Sequence, residues 1–378
     1  MKVFVVGIRG FPGIQGGAEK ACEQLYSRLI KFGLDITVFA RVSYFSQKRK
    51  VFKWKEINFF YLPSPKKSGL ETFVHSFLSS LLCVIKRPDL VHFHNMGPSF
   101  FLPLVKLFGI KTVVTLHSIN YHHQKWGKLA KFILKVGELC AVKFANKVVV
   151  VANFIKEFLK NKYRRKDLIV ISNGVDIHSK ISSGEALHRY NLSPQSYILC
   201  VSRLSPEKGV YDLIKAYKGI GTLSCKLVIV GNADIDTEYS QKIKQEAERD
   251  ERIVLTGVLV GKPLEELYSN AGLFVLPSYY EGLPIALLEA LSYGLPVLVS
   301  DIPAHREFPL PEYRYFKVGD VDELSRKIQD LIKLGISDEE KFYYRRLLEE
   351  HYNWDKIARQ MFEVYKSVVG ITEINLPA

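Results

Sequence analysis

Short apolar runs alternate with amphipathic stretches along the whole chain. In the first half the runs lie at residues 3–6, 36–40, 59–62, 90–94, 112–117, 147–151 and 168–171. Each is rich in β-branched or aromatic residues and too short for a buried helix, so each reads as a strand. Stretches such as 18–32 and 128–144 carry helical spacing between them. The pattern restarts with runs at 197–201, 226–230, 253–255, 273–276 and 296–300, and the chain closes on an amphipathic helix from Trp354. Such alternation predicts an α/β chain of two doubly wound domains, each a mainly parallel sheet covered by helices. The polar stretch 173–194, with Gly174, Gly184 and Pro194, reads as the linker, giving domains at 1–176 and 190–354. Two such domains side by side are expected to face one cleft with the carboxyl ends of their strands, where ligands of these sheets bind.

Composition agrees with this and narrows the setting. A chain of 378 residues suits two domains, and 47% hydrophobic with 24% charged residues is globular, not disordered or fibrous. The cysteines, Cys22, Cys83, Cys140, Cys200 and Cys225, are scattered and form no C-x-x-C pair. Zinc or thioredoxin-type chemistry is therefore not expected, and a reducing cytoplasm is. The N-terminus runs straight into a strand, unlike a signal peptide, and the nearly uncharged run 72–85 is too short to span a bilayer. Charge separates the halves. Residues 1–180 hold 30 Lys and Arg against 10 Asp and Glu, and the rest hold 23 against 29. The basic half suits an anionic membrane or a phosphorylated ligand, or is simply a solvated surface. No aromatic-interleaved RNA motif or zinc finger points to nucleic acid.

Four stretches carry candidate chemistry. A glycine-rich loop, residues 7–17, follows the first predicted strand and ends in Gly16-Gly17. Such a turn into a helix lets backbone N–H groups approach an anion. Its spacing matches neither G-x-G-x-x-G nor a P-loop, so it suggests a phosphate-like ligand or only a turn. Next, V-S-R-L-S-P-E-K-G (201–209) sets Arg203 and Lys208 at a strand end. There they can clamp a diphosphate and steady it as a leaving group, the plainer alternative being two surface cations. The third is S-Y-Y-E-G-L-P-I-A-L-L-E-A (278–290). Glu281 falls in a turn and Pro284 at a first helical position. Amides from Gly282 onward suit a phosphate or sugar oxygen, and Glu289 needs polar partners such as ribose hydroxyls. The fourth is His117, at a strand end, placed to hydrogen-bond a substrate or to serve the structure alone. His92 and His94 share a strand face, with His122 and His123 nearby. No carboxylate or further ligand pattern accompanies them, and no metal site is predicted. Asp234-Ile235-Asp236 imitates a metal-binding D-x-D pair and reads as a loop after Gly231.

With these residues in view, the chain resembles a family 4 retaining glycosyltransferase of the GT-B fold, nearly end to end. The resemblance rests on V-S-R-L-S-P-E-K-G, on Y-E-G-L-P-I-A-L-L-E-A (280–290) and on Y-G-L-P-V-L-V-S-D-I-P (293–303). R-G-F-P-G-I-Q-G-G-A-E (9–19), H-x-H-N-M-G-P (92–98) and T-L-H-S-I-N (115–120) resemble a subgroup found in bacterial surface-polysaccharide synthesis. The resemblance implies a second domain that binds a nucleotide-diphosphate sugar and a first that receives the acceptor. Arg203 and Lys208 would hold the diphosphate, and Glu289 the ribose. Glu281, with the amides of Gly282 and Leu283 ahead of Pro284, would hold donor sugar and phosphate. The Gly16 and Gly17 amides would close over the phosphate, His117 would lie by the donor sugar, and a helix at about 355–372 would cross back to the first domain. No metal or other cofactor is required in this picture. One departure is Asn232 in G-N-A-D (231–234), where relatives often carry an acid.

Stabilising charge on the departing diphosphate is the expected main catalytic term. Retention would follow from front-face attack, with Glu281 the one candidate for a double displacement. Rival readings are a nucleotide-sugar epimerase of the same fold, a dinucleotide-dependent oxidoreductase, which the first loop does not fit, and a non-catalytic binding protein. The basic half predicts a cytoplasmic protein attached to the inner face of the membrane, beside a glycan or polyprenyl-diphosphate-linked acceptor. The expected contacts are Lys48, Arg49, Lys50, Lys53 and Lys55, with Lys125, Lys128, Lys131 and Lys135. Leu129, Phe132 and Ile133 on the same stretch are expected to face the core rather than lipid.

Overall fold

The structure, a computed structural model, describes residues 1–45, 52–65, 69–119, 127–182, 184–221 and 224–371. Lys48, Arg49, Lys50, His122, His123 and Lys125 lie outside them. The chain divides into two compact units, Met1–Asn173 with Trp354–Ala378, and Gly174–Asn353.

The first unit is built on strands β1 (Lys2–Val6), β2 (Asp35–Arg41), β3 (Lys53–Trp54), β4 (Ile57–Leu62), β5 (Leu90–His94), β6 (Lys111–Leu116), β7 (Lys147–Val150) and β8 (Leu168–Val170). Their order across the sheet is β3-β4-β2-β1-β5-β6-β7-β8. Every pairing is parallel except the edge pair β3–β4. Covered on both faces, the central strands are apolar in nearly every position: Val3, Val5, Val6, Val91, Phe93, Val113 and Val114 are all inaccessible to water. The strand order reverses between β1 and β5, which marks the ligand crevice of an open parallel sheet. Gly7 sits at that point with φ +108°, and a Cβ there would fall 2.5 Å from the His94 carbonyl oxygen. Only glycine lets the two strand-end loops come so close.

The helix Gly17–Leu29 buries Ala21, Cys22, Leu25, Tyr26 and Leu29. Against it packs the closing helix Trp354–Val369, whose Ile357, Ala358, Met361, Phe362 and Tyr365 form one apolar stripe. Phe362 stacks on Phe32 at 4.7 Å, and Arg28 pairs with Asp355 at 3.1 Å. The helix Lys128–Phe144 departs from expectation. Leu129 and Phe132 are 72% and 61% exposed, and Ile133 is half-buried. The buried face begins only at Gly137, where a Cβ would lie 2.0 Å from the Met96 carbonyl oxygen. Close packing at that glycine seats the second half of the helix and leaves the first half proud of the core.

The second unit carries β9 (Tyr197–Val201), β10 (Lys226–Val230), β11 (Ile253–Gly257), β12 (Leu273–Leu276), β13 (Val297–Ser300) and β14 (Tyr315–Phe316). Their order is β11-β10-β9-β12-β13-β14, all parallel. Ile198, Cys200, Leu213, Ile214, Tyr217, Leu227 and Ile229 form the centre of its core. Here the order reverses between β9 and β12. The stretch read as a linker holds a short helix, Glu185–Arg189, and belongs to this unit from Gly174 onward. Its N-terminus is held from a distance: the buried Glu266 carboxylate accepts from the amides of Gly184, Ala186 and Leu187 at 2.7, 3.2 and 2.9 Å. Among the described residues no helix is long and apolar enough to cross a membrane.

Candidate active site

In the second unit, the strand-end loops after β9 and β12 meet at the reversal point. The turn Pro206–Lys208 leads into Gly209, whose φ is +65° and whose Cβ would stand 2.1 Å from the Pro277 carbonyl oxygen. That glycine lets the β9 loop lie against the end of β12, and the Tyr279 amide donates to the Glu207 carbonyl at 2.9 Å. The contact brings Lys208 Nζ to Glu281 Oε1 at 2.6 Å, and Ser278 Oγ donates to the same oxygen at 2.7 Å. Burial alone would raise the Glu281 pKa. The Lys208 ammonium outweighs it, with His305 and Ser278 adding, so the carboxyl titrates below its usual range. Arg203 donates to Asp234 at 2.8 Å and lies 3.5 Å from Glu207. Two cations, each tethered by carboxylates, thus stand at the carboxyl end of one sheet.

Pro284 is the N-cap, one position earlier than its predicted first helical place, and the helix runs Ile285–Ser292. Gly282, Leu283 and Pro284 are buried ahead of it. Glu289 on this helix accepts from the Tyr268 hydroxyl at 3.1 Å. Tyr268 stacks on Tyr293, and Tyr293 on His178, at 5.6 and 5.5 Å. Glu289 therefore stands beside a stack of two buried tyrosines.

Gly16, Gly17 and His117 belong to the first unit. Gly16 is the N-cap of the helix Gly17–Leu29. Glu19 folds back over it: a Cβ on Gly16 would lie 2.1 Å from Glu19 Oε2, and Glu19 Oε1 accepts from the Arg9 amide at 3.3 Å. A carboxylate thus already faces this helix N-terminus, as the helix dipole favours, and an incoming phosphate would meet its charge.

His117, just past β6, ends a chain of buried polar groups. Its Nε2 is 2.9 Å from His94 Nδ1, and His94 Nε2 is 2.6 Å from the Tyr26 hydroxyl. His92 Nδ1 meets Tyr365 at 2.6 Å and Tyr26 at 2.8 Å, while its Nε2 meets Thr115 Oγ1 at 2.7 Å. Burial lowers His92 to about 3 and His117 to about 4, and holds His94 well below the usual imidazole range, so all three imidazoles are neutral near pH 7. Cys22, His94 and His117 bring ligand atoms within 4.8 Å of one another. Two nitrogens on one tetrahedral zinc stand about 3.3 Å apart. The 2.9 Å contact is that of a hydrogen bond, and burial holds the Cys22 thiol protonated.

Sequence reasoning missed three participants. Asp234, read as a loop residue, takes the Arg203 guanidinium, while Asn232 caps its own loop at the Ala233 amide. His305 is fully buried beside Glu281, with Nδ1 donating to the Ser300 carbonyl at 2.7 Å and Nε2 without a hydrogen-bond partner among the described residues. Tyr365 arrives from the far end of the chain. Of these, only Asp234, one loop along from Arg203 in an adjacent strand end, left a signal that strand order could have exposed.

Two family profiles divide the chain between them. Residues 15–179 match "Glycosyltransferase Family 4", and residues 188–361 match "Glycosyl transferases group 1". The amylovoran biosynthesis glycosyltransferase AmsD of Erwinia amylovora is 28% identical over 76% of this chain and 77% of its own. An Escherichia coli enzyme, UDP-Gal:alpha-D-GlcNAc-diphosphoundecaprenol alpha-1,3-galactosyltransferase, is 29% identical over 65% of this chain and 67% of its own. Among solved structures, sucrose-phosphate synthase from Thermosynechococcus elongatus superposes with a TM-score of 0.81 at 19% identity, covering 98% of this chain and 100% of its own. Anabaena HepE in complex with UDP-glucose gives 0.77 at 18%, covering 97% and 100%. Two parallel-sheet units, cations at the switch point of the second, and family matches to both halves have one reading: the chain is a glycosyltransferase of family 4, with the GT-B fold.

Proposed function

We propose that this glycosyltransferase moves a sugar, with retention, from a nucleotide-diphosphate sugar to a glycan or polyprenyl-diphosphate-linked acceptor in the synthesis of a bacterial surface polysaccharide. The observation that carries the reading is the Lys208–Glu281 pair at the strand reversal of the second sheet, with Arg203 on the same strand end. As the bond between the sugar's anomeric carbon and the diphosphate breaks, negative charge grows on the leaving oxygen. Lys208 and Arg203 stabilise that charge more than they stabilise the ground state. They supply the positive charge themselves, so the reading calls for no metal ion. The acceptor oxygen attacks from the face the diphosphate leaves, its proton passes to a diphosphate oxygen, and the anomeric configuration is kept. Glu281, ionised and committed to Lys208 and Ser278, serves as the anchor of Lys208 rather than as a nucleophile. Glu289 holds the ribose, His117 meets the donor sugar, and the amides of Gly282 and Leu283, with Pro284 setting the turn, line the phosphate and sugar path; the Gly16 and Gly17 amides join it once Glu19 swings away from their helix N-terminus.

The acceptor suggests where the enzyme works. AmsD serves amylovoran synthesis, and the named acceptor of the E. coli relative is a diphosphoundecaprenol. The first unit carries the basic excess. Its helices Leu70–Lys86, Leu102–Leu107 and Lys128–Phe144 expose Phe77, Ile85, Leu107, Leu129 and Phe132 to water. Apolar side chains among lysines are the features of a surface that settles on an anionic leaflet. We therefore read the protein as peripheral to the inner face of the cytoplasmic membrane.

Product analysis tests the reading. Nucleoside diphosphate should be released from one of a panel of UDP-, GDP- and dTDP-sugars only when a polyprenyl-diphosphate sugar is present, and the product should keep the donor's anomeric configuration. An epimer formed from donor alone would replace the transferase reading with an epimerase.

A further inference from the structure

We propose that His305 is a positioning residue for the diphosphate grip: its Nδ1–H, acting through Ser300 and Ser278, holds Glu281 in place and with it Lys208. The proposal rests on the reading of Lys208 given above and gives a role to a histidine which that reading leaves unused.

A polar chain crosses the ends of two neighbouring strands, all of it within the second unit. His305 Nδ1 lies 2.7 Å from the Ser300 carbonyl oxygen and 3.3 Å from Ser300 Oγ. Ser300 Oγ lies 2.5 Å from the Ser278 carbonyl oxygen. Ser278 Oγ lies 2.7 Å from Glu281 Oε1, the oxygen that also takes Lys208. Every direction in the chain is set by a group that can only accept. The Ser278 carbonyl has no proton, so Ser300 gives its single O–H there and has none left for the imidazole. The Ser300 carbonyl has no proton either, so His305 carries one on Nδ1 and donates it. Glu281 is ionised against Lys208, so Ser278 Oγ donates to it. A proton on Nε2 instead would set the Nδ1 lone pair against a carbonyl oxygen at 2.7 Å. It would also bury an N–H with no acceptor, since Nε2 has no partner among the described residues. Burial lowers the ring to about 4, so near pH 7 it is neutral and has one proton to place.

Ser278, Ser300 and His305 are all inaccessible to water, so no solvent competes for these bonds. Ser278 stands two residues past β12, and Ser300 is the last residue of β13. Ser278 is held at both ends: its carbonyl by the hydroxyl from β13, its own hydroxyl on Glu281. A turn brings the imidazole onto Ser300, with the His305 and Arg306 amides donating to the Ile302 carbonyl at 3.0 and 3.1 Å. The Ser300 carbonyl also takes the Ile302 amide at 3.0 Å, so with Nδ1–H both its lone pairs are used. A buried chain in which each donor has its acceptor rigidifies the groups that it joins. Loss of the imidazole loosens Ser300, then Ser278, then the oxygen on which Lys208 is anchored. A charge-stabilising group displaced in this way lowers rate more than binding, because its placement matters most when the bond breaks.

The test joins long-range 15N–1H NMR on the full chain labelled in histidine to kinetics expressed per folded protein. The His305 signal is identified by its loss in His305→Asn. Wild type should show His305 with a protonated Nδ1 and a bare Nε2 near pH 7. His305→Ala should lower kcat by about tenfold to a hundredfold, with the donor Michaelis constant little changed. His305→Asn, whose amide N–H stands near the place of Nδ1–H, should recover most of that rate. His305→Gln, whose amide reaches the place of Nε2, should not. In a Ser278→Ala background, His305→Ala should cost little further rate, because the link to Glu281 is already cut. A wild-type His305 protonated on Nε2 would overturn the proposal. So would a His305→Ala protein that keeps its rate, equal rates in the Asn and Gln variants, or losses from Ser278→Ala and His305→Ala that simply multiply. Failure of the diphosphate reading looks different: Lys208→Ala would keep its rate while the His305 tautomer stood as assigned.

Discussion

Lys208 and Glu281 hold each other at 2.6 Å with only 16% and 9% of their side chains in water. Removing one partner of such a pair strands the other, at a typical cost of about 3–5 kcal/mol. Lys208→Ala should therefore lower thermal stability and also slow turnover by about 100–1000-fold, the usual loss when one charge-stabilising donor goes. The two effects separate in the double variant Lys208→Ala/Glu281→Gln, which should regain melting temperature but not rate. Recovery of the rate would remove Lys208 from the chemistry. The pair also has a pH signature. Glu281 is depressed in the folded state, so its contribution is present above the unfolded value of about 4.3 and is lost as pH falls through the lower folded value. Urea unfolding of Glu281→Gln between about pH 5 and pH 3 should show a shallower acid decline than wild type. Glu289→Ala should raise the donor Michaelis constant with a smaller effect on kcat, since the ribose is remote from the breaking bond. The reverse pattern would move Glu289 into the chemistry. At this scale the sequence singled out Arg203, Lys208 and Glu281, which the structure brings together at the carboxyl end of one sheet, because charged residues at strand ends are informative by type. His305 and Tyr365 were not readable, and Asp234 was readable only through strand order. Each acts through a partner 31 or more residues away, or through burial, and neither is written locally.

Strands and helices were readable wherever their period was long enough to count. The predicted strands of both units appear, with ends shifted by at most two residues. β3 and β14, two residues each, were missed because two residues carry no period. The helix Glu185–Arg189 was taken for linker for a physical reason: its N-terminal amides are satisfied by Glu266, some 80 residues on, and not by a local cap. The glycines between elements give a sharp test of loop geometry. Gly209→Ala forces a Cβ to 2.1 Å from a backbone oxygen, a fixed obstacle. Overpacking of that kind costs about 1–3 kcal/mol beyond the strain of a positive φ. Gly221, at φ +71° with open space around it, carries the strain alone. Denaturant unfolding of Gly209→Ala and Gly221→Ala should show the former clearly less stable. Equal losses would mean that the β9 loop does not depend on close approach to β12.

At the scale of the whole molecule, the restart of the strand–helix pattern gave two domains, and the structure divides into two units. What the pattern could not give was the exposed apolar edge of the first unit, because Leu129 and Phe132 fall on a helical stripe that would ordinarily be buried. The membrane reading predicts co-sedimentation with anionic vesicles at low salt, weakening as salt rises, and little binding to neutral vesicles. Each near-surface cation contributes about 1 kcal/mol on an anionic surface. Leu129→Glu/Phe132→Glu should reduce binding without lowering melting temperature, since both side chains stand in water already. Equal binding to both vesicle types would favour a soluble acceptor.

The central claim is that the second unit grips the diphosphate of a nucleotide sugar through Arg203 and Lys208. Thermal shift measures it most directly, with UDP, GDP and dTDP, their sugars, and the bare nucleosides as controls. At one hundred times its dissociation constant a ligand stabilises by about 2.7 kcal/mol, a clear shift. One nucleoside diphosphate and its sugar should raise the melting temperature of wild type. The bare nucleoside should do much less, and the shift should largely vanish in the Arg203→Ala and Lys208→Ala proteins. No shift with any diphosphate, or an equal shift in wild type and both variants, would contradict the account.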